Sequence, residues 1–542
     1  MNRIIFVIAI FMLMFSFVFR ASASLEPRYQ VDIKGDVNND KIINLSDAVL
    51  TFQFLAAKSA NQIRSDYTGS GVDIDNNNHL GLPEAVYILQ VVAGLKAKEE
   101  LFDHIYDVGP GYPYTDPSQV PWESIKASTL VRIYFRDTPY AVKWVISTTG
   151  TFKAPVVVRG IPNQSGELPV ITGKNAITRR ELDYWNEERS VVKIGGSSKP
   201  NQPPEYISIE NLDIKSAHPD YKFTNDSGKI ETYSKTTASV IHIENGAHIT
   251  IKNCILHDGV DGFFAGSGAS DVLLQGNHIY GNGIIDNIYS HNNYTECLGI
   301  VFQYNYFGPL RDGALGNNLK DRSAGTVIRY NWIESGNRTI DLVDSNHSEL
   351  LNDPSYKKTM VYGNVLIKKD VIENGQVLHY GGDSGDYNRY RKGTLWFYNN
   401  TVISYRSKNT TLLGISTNDE KVECFNNLIY TTESGIHLAI MDAKGTVSLH
   451  NNWLPTGWKS VYGTLLGILN ASQNLEGDVP GFNDFANQIF FLNASSVCVN
   501  AGALLPSELV PEFAVNYQYV KHTDFKTLPD NGTLNIGAFG QN

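Results

Sequence analysis

The segment Val327-Ile-Arg-Tyr-Asn331-Trp-Ile333 places an asparagine between two short apolar runs, and variants of this phrase recur from residue 211 to residue 452. Adjacent copies lie 24 to 42 residues apart. A repeat of about 25 residues with variable insertions is typical of a solenoid whose coils lengthen only in their loops. Because asparagine tolerates left-handed backbone, we expect it where one strand bends into the next, with its side chains stacked and hydrogen-bonded from coil to coil. The central asparagines are Asn211, Asn253, Asn277, Asn305, Asn331, Asn364, Asn400, Asn427 and Asn452.

The bulk properties favour an exported globular protein. The chain has 542 residues, 42% of them hydrophobic, and a formal net charge of −11, which argues against general nucleic-acid binding. Residues 1–23 combine Arg3, an apolar run and an Ala-Ser-Ala ending, so they predict a secretory signal peptide and a secreted or cell-surface mature chain without a membrane span. The 4 cysteines lie far apart without metal-ligand spacing, and we predict buried free thiols, with one disulfide in an exported protein as the alternative.

The asparagine phrases resemble those of secreted right-handed parallel β-helix proteins of the pectate-lyase-like superfamily. This resemblance implies a mainly β domain over residues 126–542 and action on polysaccharides. We interpret 97–125 as a linker and entry to the β-helix, and 175–205, which lacks a clear repeat, as a long loop. Residues 497–502 and 534–539 resemble closing phrases, and we expect them to form a C-terminal cap, because an open coil presents an unpaired strand edge.

Residues 32–96 contain two loops with calcium-binding spacing. They read Asp36-Val-Asn-Asn-Asp-Lys-Ile-Ile-Asn-Leu-Ser-Asp47 and Asp73-Ile-Asp-Asn-Asn-Asn-His-Leu-Gly-Leu-Pro-Glu84, each followed by an apolar helical stretch (48–56 and 85–95). Oxygen-bearing side chains stand at loop positions 1, 3, 5 and 12, as required by Ca²⁺, a hard cation that takes about 6–8 oxygen ligands. The predicted ligands of two calcium ions are the side chains of Asp36, Asn38, Asp40, Asp47, Asp73, Asp75, Asn77 and Glu84 and the carbonyls of Ile42 and His79.

The duplicated loop-helix resembles a dockerin, chiefly in Gly35-Asp-Val-Asn-Asn-Asp40 and Leu45-Ser-Asp-Ala-Val49. The resemblance implies a paired EF-hand fold that docks onto a cohesin-type scaffold or cell-surface protein. Two departures stand out. Position 6 is Lys41 or Asn78 instead of glycine, and the positions that commonly carry a partner-reading Ser-Thr pair are Leu-Ser and Leu-Pro. Calcium binding therefore follows more directly than cohesin docking.

Candidate chemistry lies in three consecutive coils. If Leu319, Leu342 and Leu378 point inward and stack, strand alternation puts Lys320, Val343 and His379 in one outward column, with Lys320 and His379 roughly 10 Å apart. The same register puts Asn318 and Asp341 in another column. The residues expected at the adjoining corner are Asp321, Asp344, Tyr380 and Asp383.

A column with lysine and histidine suits the cleavage of uronic-acid polysaccharides by β-elimination. That reaction needs a base for the proton α to the carboxylate and a cation for the resulting charge, and a lysine among cations can be the base. The phrase from Asn318 to Asn331 resembles the lysine-bearing coil of alginate- and chondroitin-type lyases, which implies that Lys320 is the base. Those families carry an arginine in the next coil, where Val343 is expected here. The predicted catalytic residues are Lys320, Arg322, Asp341, Asp344 and His379, the predicted substrate-binding residues are His291, Tyr294, Tyr380, Arg389 and Arg391, and Arg329 is a further candidate cation.

Two alternatives stay open at this point. Asp341 with Asp344, or Asp321 with Asp383, could act as the paired carboxylates of a glycoside hydrolase. A non-catalytic adhesin or glycan-binding β-helix is the second alternative, because the fold alone does not decide function. The sequence also leaves open whether a calcium ion in the groove adds to those in the N-terminal loops.

Overall fold

The computed structural model describes residues 28–58, 61–197, 202–370, 373–528 and 532–540. The predicted signal peptide at 1–23 lies outside these residues. Among them, no helix combines the length and the apolar character needed to cross a membrane.

The N-terminal module contains helices α1 (Leu45–Leu55) and α2 (Leu82–Val92), which pack through a small core that includes Val37, Leu50 and Ile88. Both helices begin earlier than the sequence analysis predicts. The acidic residue at loop position 12 explains the difference for α1, because the Asp47 carboxylate accepts a hydrogen bond from the Asn44 backbone N–H at 3.0 Å and completes a capping box. Position 6 is left-handed in both loops, as expected, with φ of 66° at Lys41 and 63° at Asn78.

From residue 104 onward the described residues form chiefly a parallel β-helix, which also carries a short α-helix, α3 (Ser348–Leu351). Its strands are β1 His104–Val108, β2 Thr129–Tyr134, β3 Val142–Ile146, β4 Val156–Ile161, β5 Val170–Thr172, β6 Ala176–Thr178, β7 Ser190–Ile194, β8 Ile207–Glu210, β9 Asp213–Lys215, β10 Lys222–Thr224, β11 Ile230–Thr232, β12 Ser239–Lys252, β13 Ile255–His257, β14 Asp261–Gln275, β15 His278–Tyr280, β16 Asn293–Thr295, β17 Leu298–Gln303, β18 Tyr306–Phe307, β19 Leu319–Asp321 and β20 Ala324–Arg329. They continue as β21 Trp332–Glu334, β22 Ile340–Leu342, β23 Lys358–Tyr362, β24 Val365–Lys368, β25 Gln376–Tyr380, β26 Thr394–Tyr398, β27 Thr401–Ser404, β28 Thr410–Ile415, β29 Lys421–Phe425, β30 Leu428–Thr431, β31 Leu438–Met441, β32 Thr446–His450, β33 Trp453–Pro455, β34 Ile468–Ser472, β35 Leu475–Gly477, β36 Phe482–Asp484, β37 Ile489–Leu492, β38 Tyr517–Val520 and β39 Asp524–Thr527.

Each central coil contributes one strand to each of three parallel faces. The first face contains β16, β19, β22, β25, β28 and β31. The second contains β17, β20, β23, β26, β29, β32 and β34, and the third runs from β15 through β18, β21, β24, β27, β30 and β33 to β35. The interior is filled by stacked aliphatic and aromatic side chains, and all 4 cysteines are buried and unpaired, as predicted.

The β-helix starts earlier than the sequence analysis predicts. Strand β1 lies in the segment 97–125 that we interpret from sequence as a linker, yet it pairs in parallel with β2. The expected long loop at 175–205 also contributes β6 and β7, both of which pair with β3. These early coils depart from the asparagine phrase, which is why the repeat did not reveal them.

The asparagine ladder, formed by Asn277, Asn305, Asn331, Asn364, Asn400, Asn427, Asn452 and Asn474, lies where the second face turns into the third. Each Nδ2 donates to the Oδ1 of the next asparagine at 2.9–3.0 Å, which confirms the predicted stacking. The predicted backbone position is wrong for these residues, because the left-handed residue is the one before, such as Tyr330 at φ 54°. Of the nine central asparagines, Asn211 and Asn253 are themselves left-handed. After Asn253 the next residue takes the ladder position, so that the Cys254 N–H donates to Asn277 Oδ1 at 2.9 Å.

The C-terminal segment covers the side of the β-helix instead of closing its end. Tyr398 donates from its hydroxyl to the Phe513 carbonyl at 2.7 Å, and the ring of Phe490 stacks on Trp332 with centroids 5.5 Å apart. Both contacts lie along the second and third faces. The last strand of the second face stays largely open, with Ile468 at 54% exposure. The predicted closing segments 497–502 and 534–539 pack along the last coils, where Cys498 and Ile536 share a buried cluster with Leu428 and Trp453.

Candidate active site

A column of polar side chains leaves the first face of the β-helix. Lys320 lies opposite Asp341 in the neighbouring strand, and Asp341 lies opposite His379 in the next. The inward partner of Leu319 and Leu378 is Ile340. The column Lys320–Asp341–His379 is therefore built from three consecutive coils.

This register corrects one prediction. We expected Leu342 to stack with Leu319, which would place Val343 between Lys320 and His379 and pair Asp341 with Asn318. Ile340 takes that position, because the apolar pair Ile340 and Leu342 allows two registers that bury the same side of the strand. A shift of two residues leaves the outward side unchanged and replaces the member of the column. Asp341 thus stands where Val343 was expected.

Asp341 is the centre of the column. It is fully buried, and its Oδ2 accepts from Lys320 Nζ at 2.9 Å and from Asn317 Nδ2 at 2.6 Å. Its Oδ1 lies 2.7 Å from His379 Nδ1 and 3.5 Å from an Arg338 guanidinium nitrogen. One buried carboxylate therefore holds the lysine and orients the imidazole.

The electrostatics keep this carboxylate ionised. Burial alone would raise the pKa of Asp341, but the Lys320 charge, the His379 hydrogen bond and the Arg338 charge together lower it far below its ordinary value. The neighbouring His291 behaves in the opposite way, since burial and then the charge of Lys320 lower its pKa to about 3. Asp341 is thus a fixed anion and His291 a neutral imidazole at physiological pH.

Two cations reach the outer edge of the column. Lys320 Nζ donates to Asp383 Oδ2 at 2.6 Å, and Arg322 Nη2 donates to Asp383 Oδ1 at 2.7 Å. Tyr294 precedes Lys320 in the column, and the Arg322 guanidinium carbon lies 5.9 Å from the centre of its ring. Lys320, Arg322, Tyr294 and His379 therefore outline a narrow polar site beside the segment that carries Asp383.

Asp344 anchors that segment. It is fully buried, and its carboxylate accepts from the Asp383 N–H at 2.8 Å, from the Ser384 N–H at 3.3 Å and from the Ser384 hydroxyl. The Ser416 hydroxyl holds the neighbouring turn, accepting from the Gly382 N–H at 2.9 Å and lying 3.0 Å from His379 Nε2. Asp344 thus supports the site without facing solvent.

Several predicted substrate-binding residues lie in the interior. His291 accepts at Nδ1 from the Asn317 N–H at 3.0 Å, and Tyr380 stands in register with Leu342 on the inward side. Arg391 is fully buried and pairs with Asp321 at 3.1 Å. These placements put His291, Tyr380 and Arg391 behind the column, and their contact with the substrate stays a prediction. They stabilise the coils behind the site.

The other two predicted cations lie apart from the column. Arg389 is partly exposed on the segment after Asp383, where it pairs with Asp386 at 3.1 Å and donates to Asn346 at 2.9 Å. Arg329 is buried and donates to Gln303 Oε1 at 2.6 Å. These contacts hold both arginines away from Lys320 and His379.

The carboxylate pairs considered for hydrolysis are mostly unsuited to it. Asp321 is buried and accepts from Thr295 at 2.8 Å and Thr326 at 2.6 Å, while Asp341 and Asp344 are both buried. A hydrolase needs both carboxylates at the scissile bond. Among the four, only Asp383 is substantially open to solvent, with 31% of its side chain exposed.

Sequence reasoning missed three residues of the site: Asn317, Arg338 and Ser416. All three lie at or beyond the ends of strands β19, β22 and β28 and reach the column from the side. Asn317 stands directly before the predicted Asn318, so its position was visible. Its contact with Asp341 depends on the corrected register, and no pattern indicated Arg338 or Ser416.

The second N-terminal loop brings three carboxylate oxygens together. In the second loop, Asp73, Asp75 and Glu84 each offer an oxygen, and these oxygens lie within 4.8 Å of one another. In the first loop, Asp36 and Asp47 are fully buried, and their oxygens accept backbone hydrogen bonds from Lys41 at 3.0 Å and Val37 at 2.9 Å. Convergent carboxylates without a cationic side chain between them fit a hard divalent cation.

No protein-family model matches this sequence, and no curated protein matches it either. Among solved structures, the chain is similar to pectate lyase Pel9A, with 12% identity and a TM-score of 0.45 over 82% of this chain and 97% of that one. It is also similar to an alginate lyase from Paenibacillus sp. str. FPU-7, with 10% identity and a TM-score of 0.42 over 69% and 99%. A third similar structure is the GH136 lacto-N-biosidase from Eubacterium ramulus, with 12% identity and a TM-score of 0.42 over 76% and 73% of the two chains.

Proposed function

We propose that this protein cleaves an acidic, uronic-acid polysaccharide by β-elimination at the column Lys320–Asp341–His379. The observation that carries the proposal is the bridging role of Asp341, which lies 2.9 Å from Lys320 Nζ and 2.7 Å from His379 Nδ1. Asp341 thus holds a cation on one side and an oriented imidazole on the other, on the first face of the β-helix. β-Elimination needs these two groups, a base for the α proton and a positive charge for the carboxylate.

His379 is the base in this proposal. Asp341 accepts from its Nδ1 side, which leaves the lone pair on Nε2, the nitrogen that lies 3.0 Å from the Ser416 hydroxyl. A carboxylate that holds one imidazole nitrogen orients the ring and stabilises the imidazolium formed when the other nitrogen takes a proton.

Lys320 has the cationic role in this arrangement, instead of the base role that the lyase resemblance implies. Its ammonium group donates to Asp341 and to Asp383 at 2.9 and 2.6 Å. In both contacts Nζ is the donor of a charge-assisted hydrogen bond to a carboxylate. With Arg322 it is suited to bind the substrate carboxylate and to stabilise the charge that develops when the α proton leaves.

The test is the appearance of unsaturated uronate. The full-length protein is incubated with pectate, alginate and chondroitin, with and without calcium, and the ultraviolet absorbance of the unsaturated product is followed. Growth of that absorbance supports the proposal. New reducing ends without it would indicate hydrolysis, and binding without either product would indicate an adhesin.

The N-terminal module has a separate role in the proposal. We infer that the chain is exported, that its two loops bind calcium through the side chains and carbonyls named above, and that calcium stabilises the module. Several apolar side chains of its helices are exposed, among them Leu45, Val49, Phe52, Leu82 and Val86. Such a surface supports attachment to a cohesin-type scaffold or another cell-surface protein.

A further inference from the structure

The Asp383 carboxylate binds the two cations of the site in the way that a substrate carboxylate would. Each of its oxygens takes one cation, Oδ2 at 2.6 Å from Lys320 Nζ and Oδ1 at 2.7 Å from Arg322 Nη2. Charge-assisted contacts of this kind, one to each carboxylate oxygen, are the usual geometry for recognising a carboxylate.

Asp383 reaches these cations from the solvent side. Its side chain is 31% exposed, against 10% for Lys320 and 11% for Arg322. The cations belong to the coil that contains β19, whereas Asp383 follows β25, after Gly381 and Gly382. A glycan that approaches the column from outside therefore meets Asp383 before it meets Lys320 or Arg322.

The segment has an attachment that does not depend on the Asp383 carboxylate. Asp344 accepts from the backbone N–H groups of Asp383 and Ser384 at 2.8 and 3.3 Å, and Ser416 accepts from the Gly382 N–H at 2.9 Å. A turn of the Asp383 side chain could open the two cations while these backbone contacts stay in place. The carboxylate is thus exchangeable in a way that the buried Asp341 is not.

We propose that Lys320 and Arg322 form a carboxylate-binding site that Asp383 fills in the resting protein, and that the carboxylate of a hexuronic acid residue replaces Asp383 when substrate binds. This inference deepens the proposed function, since it names the substrate group that the site recognises. An internal competitor lowers the apparent affinity by the fraction of time it occupies the site. Removing its charge therefore strengthens the binding of carboxylated sugars and leaves neutral sugars unaffected.

The test measures binding apart from turnover, so every protein in it, the wild type included, also carries His379→Asn, which removes the base of the proposed elimination. Trigalacturonate is titrated by calorimetry at low ionic strength into the full-length wild type and into Asp383→Asn, and galactotriose, which lacks the carboxylates, is the neutral probe. We expect Asp383→Asn to bind trigalacturonate about tenfold more tightly than the wild type, in proportion to the lost competition. The gain should disappear when Lys320→Met is added, and Asp383→Glu, which keeps the charge, should bind as weakly as the wild type.

Asp386→Asn is the matched control. Asp386 lies on the same segment and pairs with Arg389 at 3.1 Å, so its substitution makes the same change in net charge away from the site. Equal or weaker trigalacturonate binding by Asp383→Asn, or an equal gain in Asp386→Asn or with galactotriose, would overturn the inference. Tighter binding here, together with no unsaturated product from the protein that keeps His379, would uphold this inference while contradicting the proposed elimination, and the reverse result would contradict this inference alone.

Discussion

The same coils carry two stacks of polar side chains that obey different rules. In the asparagine ladder every coil contributes the same residue, and Asn331 and Asn364 differ only in their place along the stack. In the column Lys320–Asp341–His379 every coil contributes a different group. The amide is both donor and acceptor, so identical copies satisfy one another, whereas the column holds together only because its charges differ. The repeated asparagines thus serve the structure, whereas the position at which neighbouring coils carry different groups is the one where we propose the chemistry.

The largest expected effect comes from removing the imidazole of the column. His379→Asn should lower the rate of uronate elimination by about 10²–10⁴-fold, the usual contribution of a general base, while the melting temperature stays close to that of the wild type. The measurement is the initial rate of absorbance growth on the best glycan substrate. His437→Asn is the control, because the His437 ring lies outside the column, 3.0 Å from Asn409 Oδ1. Equal losses in both variants would refute the role of His379.

Breaking the asparagine ladder should lower the stability of the protein and leave its activity unchanged, which is the opposite of the effect expected for His379→Asn. Asn364 donates to the carbonyls of Ile328 and Tyr362 and to Asn400, at 2.9–3.0 Å. Asn364→Ala removes these bonds, and it also removes the oxygen that accepts from the backbone N–H and Nδ2 of Asn331. We expect the free energy of unfolding to fall by about 3 kcal/mol, the cost of a few unsatisfied buried groups. Chemical denaturation measures the loss. Turnover per folded molecule should be unchanged, and a variant as stable as the wild type would contradict the structural role of the ladder.

The stability of the protein in acid should depend on His291, the buried imidazole behind the column. The pKa of His291 is lowered to about 3 in the folded protein, below its ordinary value of 6.5, so the unfolded chain binds the proton first. This contribution to stability is therefore complete above pH 6.5 and is lost as the pH falls towards 3, with a slope of at most about 1.4 kcal/mol per pH unit. Melting temperatures from pH 7 to pH 4 should fall less steeply in His291→Asn. Equal slopes in the variant and the wild type would contradict this prediction.

Calcium removal should have the smallest effect on the column. A chelator, or the double substitution Asp36→Ala and Asp73→Ala, should abolish calcium heat in calorimetry and lower the stability of the N-terminal module. The coils of the site should keep their melting transition. Retention of the full calcium heat by the double variant would contradict the proposed ligands.

Much of the fold could be predicted from sequence because its rule is local and repeated. Each asparagine phrase reports a turn between two strands, and the ladder from Asn277 to Asn452 confirms that prediction. The early coils around β1 and β7 could not be predicted from the asparagine phrase, because their turns are built from other residues. The position of the C-terminal segment could not be predicted either, because it depends on which apolar surface the assembled coils leave uncovered.

The site was predictable only in part. Lys320 and His379 were placed in one column, and the structure confirms this, because the apolar residues beside them fix the outward side. Asp341 was assigned to the wrong column, since Ile340 and Leu342 bury the same side of the strand in either register. Arg338 and Ser416 reach the column from strand ends, where no periodicity constrains them.

The most direct test of the central claim compares the wild type with Lys320→Met on an acidic glycan. We predict that the wild type produces unsaturated uronate. Lys320→Met should lose this activity at least about 100-fold with an unchanged circular dichroism spectrum, because the developing charge on the substrate loses its cation. Wild-type protein that yields no unsaturated product from any uronic-acid polysaccharide, or a Lys320→Met variant as active as the wild type, would contradict it.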